Sequence, residues 1–103
     1  MIGVILMGKV YGYCRVALAN DEEMAQQCKI IESCGIEVDE YFCDNGASGL
    51  KFDREALQRM LKILQNGDIV IVKDIARLSR DMRQCVEIIE SIYQSGALIK
   101  ILN

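Results

Sequence analysis

The chain has 103 residues, of which 51% are hydrophobic and 26% charged, and its net charge is −3 at pH 7. This length accommodates one domain, and the composition is that of a globular protein rather than of a disordered or membrane-spanning one. The acidic balance excludes a global basic field that would hold a nucleic-acid backbone by counterion release, so any contact with DNA must be local or lie elsewhere.

The residue types restrict the possible chemistry. There is no histidine, which removes the commonest general base and metal ligand and excludes His-dependent triads, zinc hydrolases and His-based phosphoryl relays. The five cysteines form no Cys-x-x-Cys pair, and without a secretion signal this pattern is typical of reduced, packed thiols. Residues Met1 to Met7 are apolar but too short to cross a bilayer, and we expect a cytoplasmic protein without membrane partners.

The first part of the chain predicts a strand, a helix and a second strand. Residues Val10 to Val16 alternate with period two, which is typical of a strand and places Arg15 and Ala17 on the same side at its end. A helix is predicted from Asn20 or Asp21 to about Cys34, stopped by Gly35, with an inward stripe of Met24, Gln27 or Cys28, and Ile31. Residues Glu37 to Cys43 predict the second strand, whose candidates for burial include Val38 and Phe42.

The second part predicts a loop followed by further alternation. Residues Asp44 to Phe52 are rich in Gly, Asn, Asp and Ser, which predicts a mobile loop over the strand ends. A helix capped by Asp53 follows and ends at Asn66-Gly67, with an apolar repeat at Leu57, Met60, Leu61 and Leu64. The apolar run from Asp68 to Val72 predicts a buried third strand. The last two elements are a helix from Arg80 to Ser95, with an inward stripe of Met82, Val86, Ile89 and Ile92 or Tyr93, and a strand from Ala97 to Leu102.

A charged segment follows the third strand directly, with Lys73, Asp74, Arg77 and Arg80 within eight residues. If a helix begins near Leu78, Arg77 and Arg80 share one face. Two guanidinium groups at the end of a buried strand form a site for an anion, and phosphate suits their planar fork best. The same spacing also fits two solvated side chains on an amphipathic helix.

Alternating strands and helices predict an α/β fold, with three αβα layers and a mostly parallel central sheet. Active sites of such sheets lie beyond the carboxyl ends of the strands. We therefore expect Arg15, Ala17, the loop at 44–52, Arg77 and Arg80 to share one rim. Because the chain stops directly after a strand, we also expect a further segment or a partner to complete the domain.

Four motifs occur in a defined order: Tyr13-Cys14-Arg15-Val16, Asp44-x-x-Ala47-Ser48-Gly49, Asp53-Arg54, and Gly67-Asp68 leading into Arg77-Leu78-Ser79-Arg80. In this order and spacing they resemble the catalytic domain of serine site-specific recombinases, the resolvase and invertase family. The resemblance extends over residues 10–103 and leaves residues 1–9 as an N-terminal extension. It implies that the dimerisation helix and DNA-binding domain of the family would lie past Asn103.

The resemblance implies a reaction and its residues. In the family, a serine two residues after the first-strand arginine attacks a DNA phosphodiester, giving a 5′-phosphoserine linkage and a free 3′-hydroxyl without a metal or other cofactor. By position, three arginines would clamp the scissile phosphate, with four supporting residues: Arg15, Arg77 and Arg80, then Arg54, Gln27, Ser48 and Asp44. The implied partners are DNA, bound through the full-length protein, and further copies of the protein in a dimer and a synaptic tetramer.

The sequence departs from the family pattern at two positions. Ala17 occupies the position of the nucleophile, and Ala76 stands where an aspartate is frequent. Because a methyl group cannot attack phosphorus, we expect no DNA cleavage by this chain. Ser48 and Ser79 are alternative nucleophiles, although serines at such positions more often form turns or caps.

Two other classes of function stay open on the sequence. The first is a non-catalytic α/β module, either a regulatory partner of an active recombinase or an unrelated phosphate-binding domain. The second is a metal nuclease that uses Asp44, Asp53, Asp68 and Asp74, although each of these also suits a turn or cap. A phosphoacceptor receiver domain fits poorly, because the first strand ends without paired acidic residues.

Overall fold

The computed structural model describes residues 8–47 and 54–103, which form one open sheet covered by helices. The strands are β1 (Val10–Val16), β2 (Glu40–Asn45), β3 (Ile69–Val72) and β4 (Leu98–Ile101), and the helices are α1 (Asp21–Glu32), α2 (Glu55–Ile63) and α3 (Met82–Gln94). A short 3₁₀ turn, Ile75–Arg77, follows β3. Within the described ranges, no helix combines the length and the apolar character needed to span a membrane.

All strand pairs are parallel, and the strand order is β2-β1-β3-β4. One face of the sheet packs against α2 and α3, in a core that includes Tyr13, Leu57 and Ile92. The other face packs against α1 through Met24 and Ile31. This arrangement confirms the predicted three-layer α/β fold, and it brings the carboxyl ends of β1, β2 and β3 to one edge.

The predicted bounds of β1 and the inward stripe of α1 agree with the structure, and Gln27 rather than Cys28 is the fully buried member of that stripe. The predicted bounds of β2 are wrong. This strand begins at Glu40 and continues to Asn45, because Asp44 and Asn45 keep the parallel register with the last two residues of β1. Val38 therefore precedes the strand and is only half-buried.

The start and the inward face of α3 also differ from the prediction. The helix begins at Met82, and Asp81 caps it by accepting a hydrogen bond from the Arg83 amide (3.1 Å). The buried stripe consists of Cys85, Ile88 and Ile92, whereas the predicted Met82, Val86 and Tyr93 are exposed. Two adjacent stripes of this helix are apolar, so the periodicity alone does not select the face that packs on the sheet.

Candidate functional site

The candidate site lies at the edge of the sheet where β1 and β3 end. Arg15 is the penultimate residue of β1, and Arg77 ends the 3₁₀ turn that follows β3. Arg77 is anchored there by an ion pair between its Nε and an Asp74 carboxylate oxygen (3.1 Å). Arg77 therefore lies in a 3₁₀ turn and Arg80 in the bend before α3, so no helix begins near Leu78, which was the condition for the two arginines to share a helix face.

Arg15 and Arg77 bind each other's backbone. The Arg15 guanidinium donates to three carbonyl oxygens: from Nε to Arg77 (3.2 Å), from Nη1 to Ala47 (3.0 Å) and from Nη2 to Ala76 (2.6 Å). In return, Arg77 Nη1 donates to the Arg15 carbonyl oxygen (2.7 Å). Arg15 is only 2% exposed. The two arginines thus fasten the end of β1 to the turn after β3.

Arg54, which directly precedes α2, is a second buried arginine that binds the same turn. Its guanidinium donates to the carbonyl oxygens of Leu78 and Arg77, the latter at 2.7 Å. It also donates to the Tyr13 hydroxyl, at 3.1 Å from Nη2, and lies over the Tyr13 ring with 5.5 Å to the ring centre. The carbonyls of three consecutive residues, 76 to 78, are therefore held by two guanidinium groups.

Asp44 connects this cluster to α2. One carboxylate oxygen accepts hydrogen bonds from the Tyr13 hydroxyl (2.7 Å) and the Leu57 amide (3.1 Å), and the other accepts from the Ala56 amide (2.9 Å). Asp44 therefore caps the N-terminus of α2 from a neighbouring strand, where a carboxylate is favoured by the helix dipole. The predicted cap, Asp53, lies outside the described residues.

Gln27 holds the backbone of Arg15 from the opposite face of the sheet. Its side-chain nitrogen donates to the Arg15 carbonyl oxygen (2.8 Å), and its side-chain oxygen accepts from the Arg15 amide (3.2 Å). The side chain is 1% exposed. Gln27 is thus neither solvated nor directed at solvent, and it fixes the strand position from which Arg15 extends.

The other predicted site residues are more open or lie outside the described ranges. Ala17 and Arg80 are exposed, and Ser48 is not among the described residues. Asn45 holds the segment after β1, because its side chain accepts from the Asn20 amide (2.9 Å) and donates to Asp21 (2.8 Å).

Ser79 is buried, where its hydroxyl donates to Gln84 (3.0 Å) and accepts from the Asp81 amide (2.9 Å). Its role is that of a turn former, which makes it unsuitable as a nucleophile.

Positive charge is concentrated at this edge although the chain is acidic overall. Burial lowers the pKa of Arg15, and the positive charges of Arg54, Arg77 and Arg80 lower it further. Mutual repulsion among these side chains favours binding of an anion between them. Burial also raises the pKa of Tyr13 well above its usual range, so its hydroxyl stays protonated and donates to Asp44.

Of the carboxylates proposed for a metal nuclease, the three that the structure describes are not brought together. Asp74 follows β3 and pairs with Arg77, whereas Asp68 precedes β3 and accepts from the amides of Lys9 (2.8 Å) and Gln65 (2.7 Å). These two residues therefore lie at opposite ends of the strand. The prediction that Asp68 and Asp74 share a metal site is therefore wrong. Asp53 lies outside the described ranges.

Sequence reasoning missed Tyr13 as a member of the site. Its hydroxyl links Asp44 to Arg54 and so joins α2 to the turn after β3. The period-two alternation of β1 contained the relevant signal, since it places Tyr13 on the same side of the strand as Arg15.

The fold and the site define a parallel α/β domain. At the carboxyl ends of its strands, a basic edge is held together by arginine side chains that bind backbone carbonyls. A protein-family model described as the resolvase N-terminal domain matches residues 10–103, and the chain belongs to this family. This result confirms the resemblance deduced from the four motifs.

Individual relatives agree with this assignment. The chain is 35% identical over 85 residues to a DNA-invertase of Escherichia phage P1, covering 82% of this chain and 44% of the invertase. It is similar in structure to the N-terminal catalytic domain of TP901-1 integrase, with a TM-score of 0.79, 30% identity, and coverage of 93% of this chain and 79% of that one. A serine recombinase from Sulfolobus solfataricus gives a TM-score of 0.73 at 28% identity, covering 92% and 68% of the two chains. The chain spans about half the length of the curated relatives it matches.

Proposed function

We propose that this chain is the catalytic-domain portion of a serine site-specific DNA recombinase in which alanine replaces the nucleophile. The observation that supports this most directly is the interlocked pair of Arg15 and Arg77 at the sheet edge, with the exposed Ala17 two residues after Arg15. A nucleophile at position 17 would directly follow β1, at the same edge of the sheet as Arg15 and Arg77. The membership of the chain in the resolvase family adds the reaction class.

The arginines suit phosphoryl transfer. In the reaction implied by the family, a serine oxygen forms a bond to phosphorus, the bond from phosphorus to the 3′-oxygen breaks, and that oxygen takes up a proton. Negative charge then spreads over the equatorial oxygens of the transition state, where fixed guanidinium groups stabilise it without a metal. Because the turn at 75–77 is held by Arg15 and Arg54, the position of Arg77 is set before a substrate arrives.

The contacts divide the arginines into two groups with different expected roles. Arg15 and Arg54 are buried and bind backbone carbonyls, so in this conformation they position the turn. Arg80 is exposed and Arg77 partly exposed, so they meet an approaching phosphate first. We infer that Arg77 and Arg80 make the initial contacts, and that Arg15 reaches the phosphate only if at least one of its three carbonyl partners is released.

Ala17 sets the expected activity of the chain. In an enzyme that works by covalent catalysis, loss of the nucleophile costs about a millionfold in rate. Of the two serines considered as replacements, Ser79 is buried in a turn. We therefore expect the protein to bind DNA without cleaving it.

Restoration of the hydroxyl tests this proposal. The full-length protein is prepared with Ala17→Ser and mixed with end-labelled DNA from the genetic element that encodes it. The expected product is a denaturant-resistant adduct at the 5′ end of the cleaved strand. Leu18→Ser is a matched control, because it places a hydroxyl on the neighbouring residue, which is 85% exposed. Absence of adduct from Ala17→Ser, or equal adduct from Leu18→Ser, would contradict the proposal.

Addition of Arg77→Ala to Ala17→Ser tests the contribution of Arg77 to adduct formation. The adduct should decrease by at least about a hundredfold, the usual effect of losing one donor to transition-state charge. Arg83→Ala, on the exposed side of α3, should leave the yield unchanged and controls for general loss of positive charge.

A non-catalytic role is the second candidate, and Ala17 is the observation that favours it. In this case the protein pairs with an active recombinase through the dimer or synaptic tetramer that the family implies. Mixing the unaltered protein with an active relative should then change the rate or products of that relative. If Ala17→Ser restores cleavage but the unaltered protein never changes the reaction of the relative, the regulatory role is rejected while the recombinase assignment stands.

A further inference from the structure

Three cysteine side chains converge on the face of the sheet opposite the arginine site. Cys14 lies on β1, Cys43 is its direct partner on β2, and Cys28 lies on α1. The sulfur atoms of all three lie within 4.8 Å of one another, and those of Cys14 and Cys28 are 3.9 Å apart. All three thiols are free. The cluster is separate from the residues assigned above to phosphate chemistry.

The sulfur geometry fits a single metal ion. A zinc ion bound to two thiolates at about 2.3 Å in tetrahedral geometry holds those sulfurs about 3.8 Å apart. The observed separation of Cys14 and Cys28 meets this requirement within small side-chain adjustments. Burial decreases from Cys14, which is buried, through Cys28 to Cys43, which is exposed. An ion can therefore enter at Cys43 and reach a protected position, which a metal site needs.

The backbone around the cluster is fixed. The Tyr41 hydroxyl donates to the Cys28 carbonyl oxygen (3.3 Å) and ties α1 to β2. The Tyr41 ring lies directly over Gly12, where a Cβ atom would be 2.6 Å from the ring, so only glycine at position 12 permits this arrangement. Next to Cys28, Gln27 binds Arg15. Two consecutive residues of α1 thus face two consecutive residues of β1, and these contacts set the spacing of the thiols.

We propose that Cys14, Cys28 and Cys43 form a Zn²⁺ site with three protein ligands and an open fourth position towards solvent. On binding, each of the three thiols releases one proton and forms one sulfur–metal bond, with no change of oxidation state. Thiolates select soft or borderline cations, so Cu⁺ is the main competitor of Zn²⁺ for this site. Three thiolates leave a charge of −1 around Zn²⁺ but −2 around Cu⁺. Because the neighbouring core is apolar, with Val10, Val16 and Ile31, the smaller residual charge favours zinc.

Metal binding to the reduced, metal-free chain tests this site. The protein is kept in a phosphine reductant and titrated with Zn²⁺ against a chromophoric chelator, and bound metal is counted after gel filtration. The expected stoichiometry is one Zn²⁺ per chain. Cys43→Ala and Cys28→Ala should each weaken binding at least about tenfold, since even the loss of an outer partner of a ligand costs that much.

The chain contains its own control. Cys34 packs at the edge of the same apolar cluster but is not among the three converging thiols. Cys34→Ala should bind Zn²⁺ as the unaltered chain does, and Zn²⁺ should raise the melting temperature of both but not that of Cys43→Ala. Equal affinity of the Cys34 and Cys43 variants, or less than one Zn²⁺ per unaltered chain, would overturn the proposal. A parallel titration with Cu⁺ that gave tighter binding and displaced Zn²⁺ would overturn the choice of metal.

Discussion

Replacement of Asp44 provides the sharpest test of how the site is held together. Asp44 is 7% exposed, and its carboxylate accepts three hydrogen bonds, one from the Tyr13 hydroxyl and two from the amides of Ala56 and Leu57 in the first turn of α2. Asp44→Ala removes all three acceptor contacts at once. It leaves two helix amides and the Tyr13 hydroxyl buried without an acceptor. A buried donor that loses its acceptor destabilises the fold by its full desolvation penalty.

The magnitude follows from these contacts. A hydrogen bond to a charged group contributes about 1.5–3 kcal/mol, and loss of a helix cap costs about 0.5–2 kcal/mol. The three bonds share one carboxylate, and its removal also removes its own burial cost, so the contributions do not add in full. We expect Asp44→Ala to lower the free energy of unfolding by about 3–5 kcal/mol. Asp44→Asn keeps one oxygen acceptor and should lose about half as much.

Urea denaturation followed by circular dichroism measures these differences. Asp81→Ala is the matched control, because Asp81 also caps a helix, α3, but at an exposed position. This substitution should lower the free energy of unfolding by only about 1 kcal/mol. A double-mutant cycle with Tyr13→Phe isolates the bond between Asp44 and the Tyr13 hydroxyl. If Asp44→Ala loses no more stability than Asp81→Ala, the account of Asp44 as a buried link between β2, Tyr13 and α2 is wrong.

Two further predictions concern the surroundings of Arg15. Gln27→Ala should lower the free energy of unfolding by about 1–3 kcal/mol, because the Arg15 amide and carbonyl lose their hydrogen bonds to the Gln27 side chain. Gln26→Ala, at the exposed neighbouring position, should change this free energy little in the same urea denaturation assay. The pKa of Tyr13 is raised in the folded protein, chiefly by burial, so the unfolded chain ionises first. The free energy of unfolding should therefore be unaffected by Tyr13 at neutral pH and fall as the pH rises above about 10; a decline that is equally steep in Tyr13→Phe, measured by denaturation at several alkaline pH values, would contradict this assignment.

The sequence was sufficient to predict the fold because strands and helices alternate along it and each is specified by its own local pattern. The period of β1, the Asn20 cap of α1 and the short β-branched run of β3 each specify their element locally. Once strands and helices alternate, right-handed crossovers leave few topologies, and the carboxyl ends of the strands must meet at one edge. The approximate place of Arg15 and Arg77 follows from this rule.

The contacts within the site could not be predicted in the same way. Asp44 was expected in a loop because its neighbours are turn formers, but the register of β2 with β1 extends the strand through it. Its role as cap of α2 depends on packing between elements twelve residues apart in sequence. The buried face of α3 was misassigned for a related reason, since Cys85 is a weak hydrophobic signal beside the stronger Met82 and Val86.

The burial of Arg15 has a consequence for any reaction at this edge. Three of its five N–H donors bind carbonyl oxygens, and the side chain is almost fully enclosed by the turn at 76–77 and by Ala47. A phosphate oxygen can replace one of these carbonyls only if residues 47 or 76–77 move, and each released carbonyl then needs a new partner. Since Arg54 holds the same turn independently, the movement expected to cost least is that at Ala47. Substrate binding that engages Arg15 should therefore be detected as a change at Ala47 before any change at the turn.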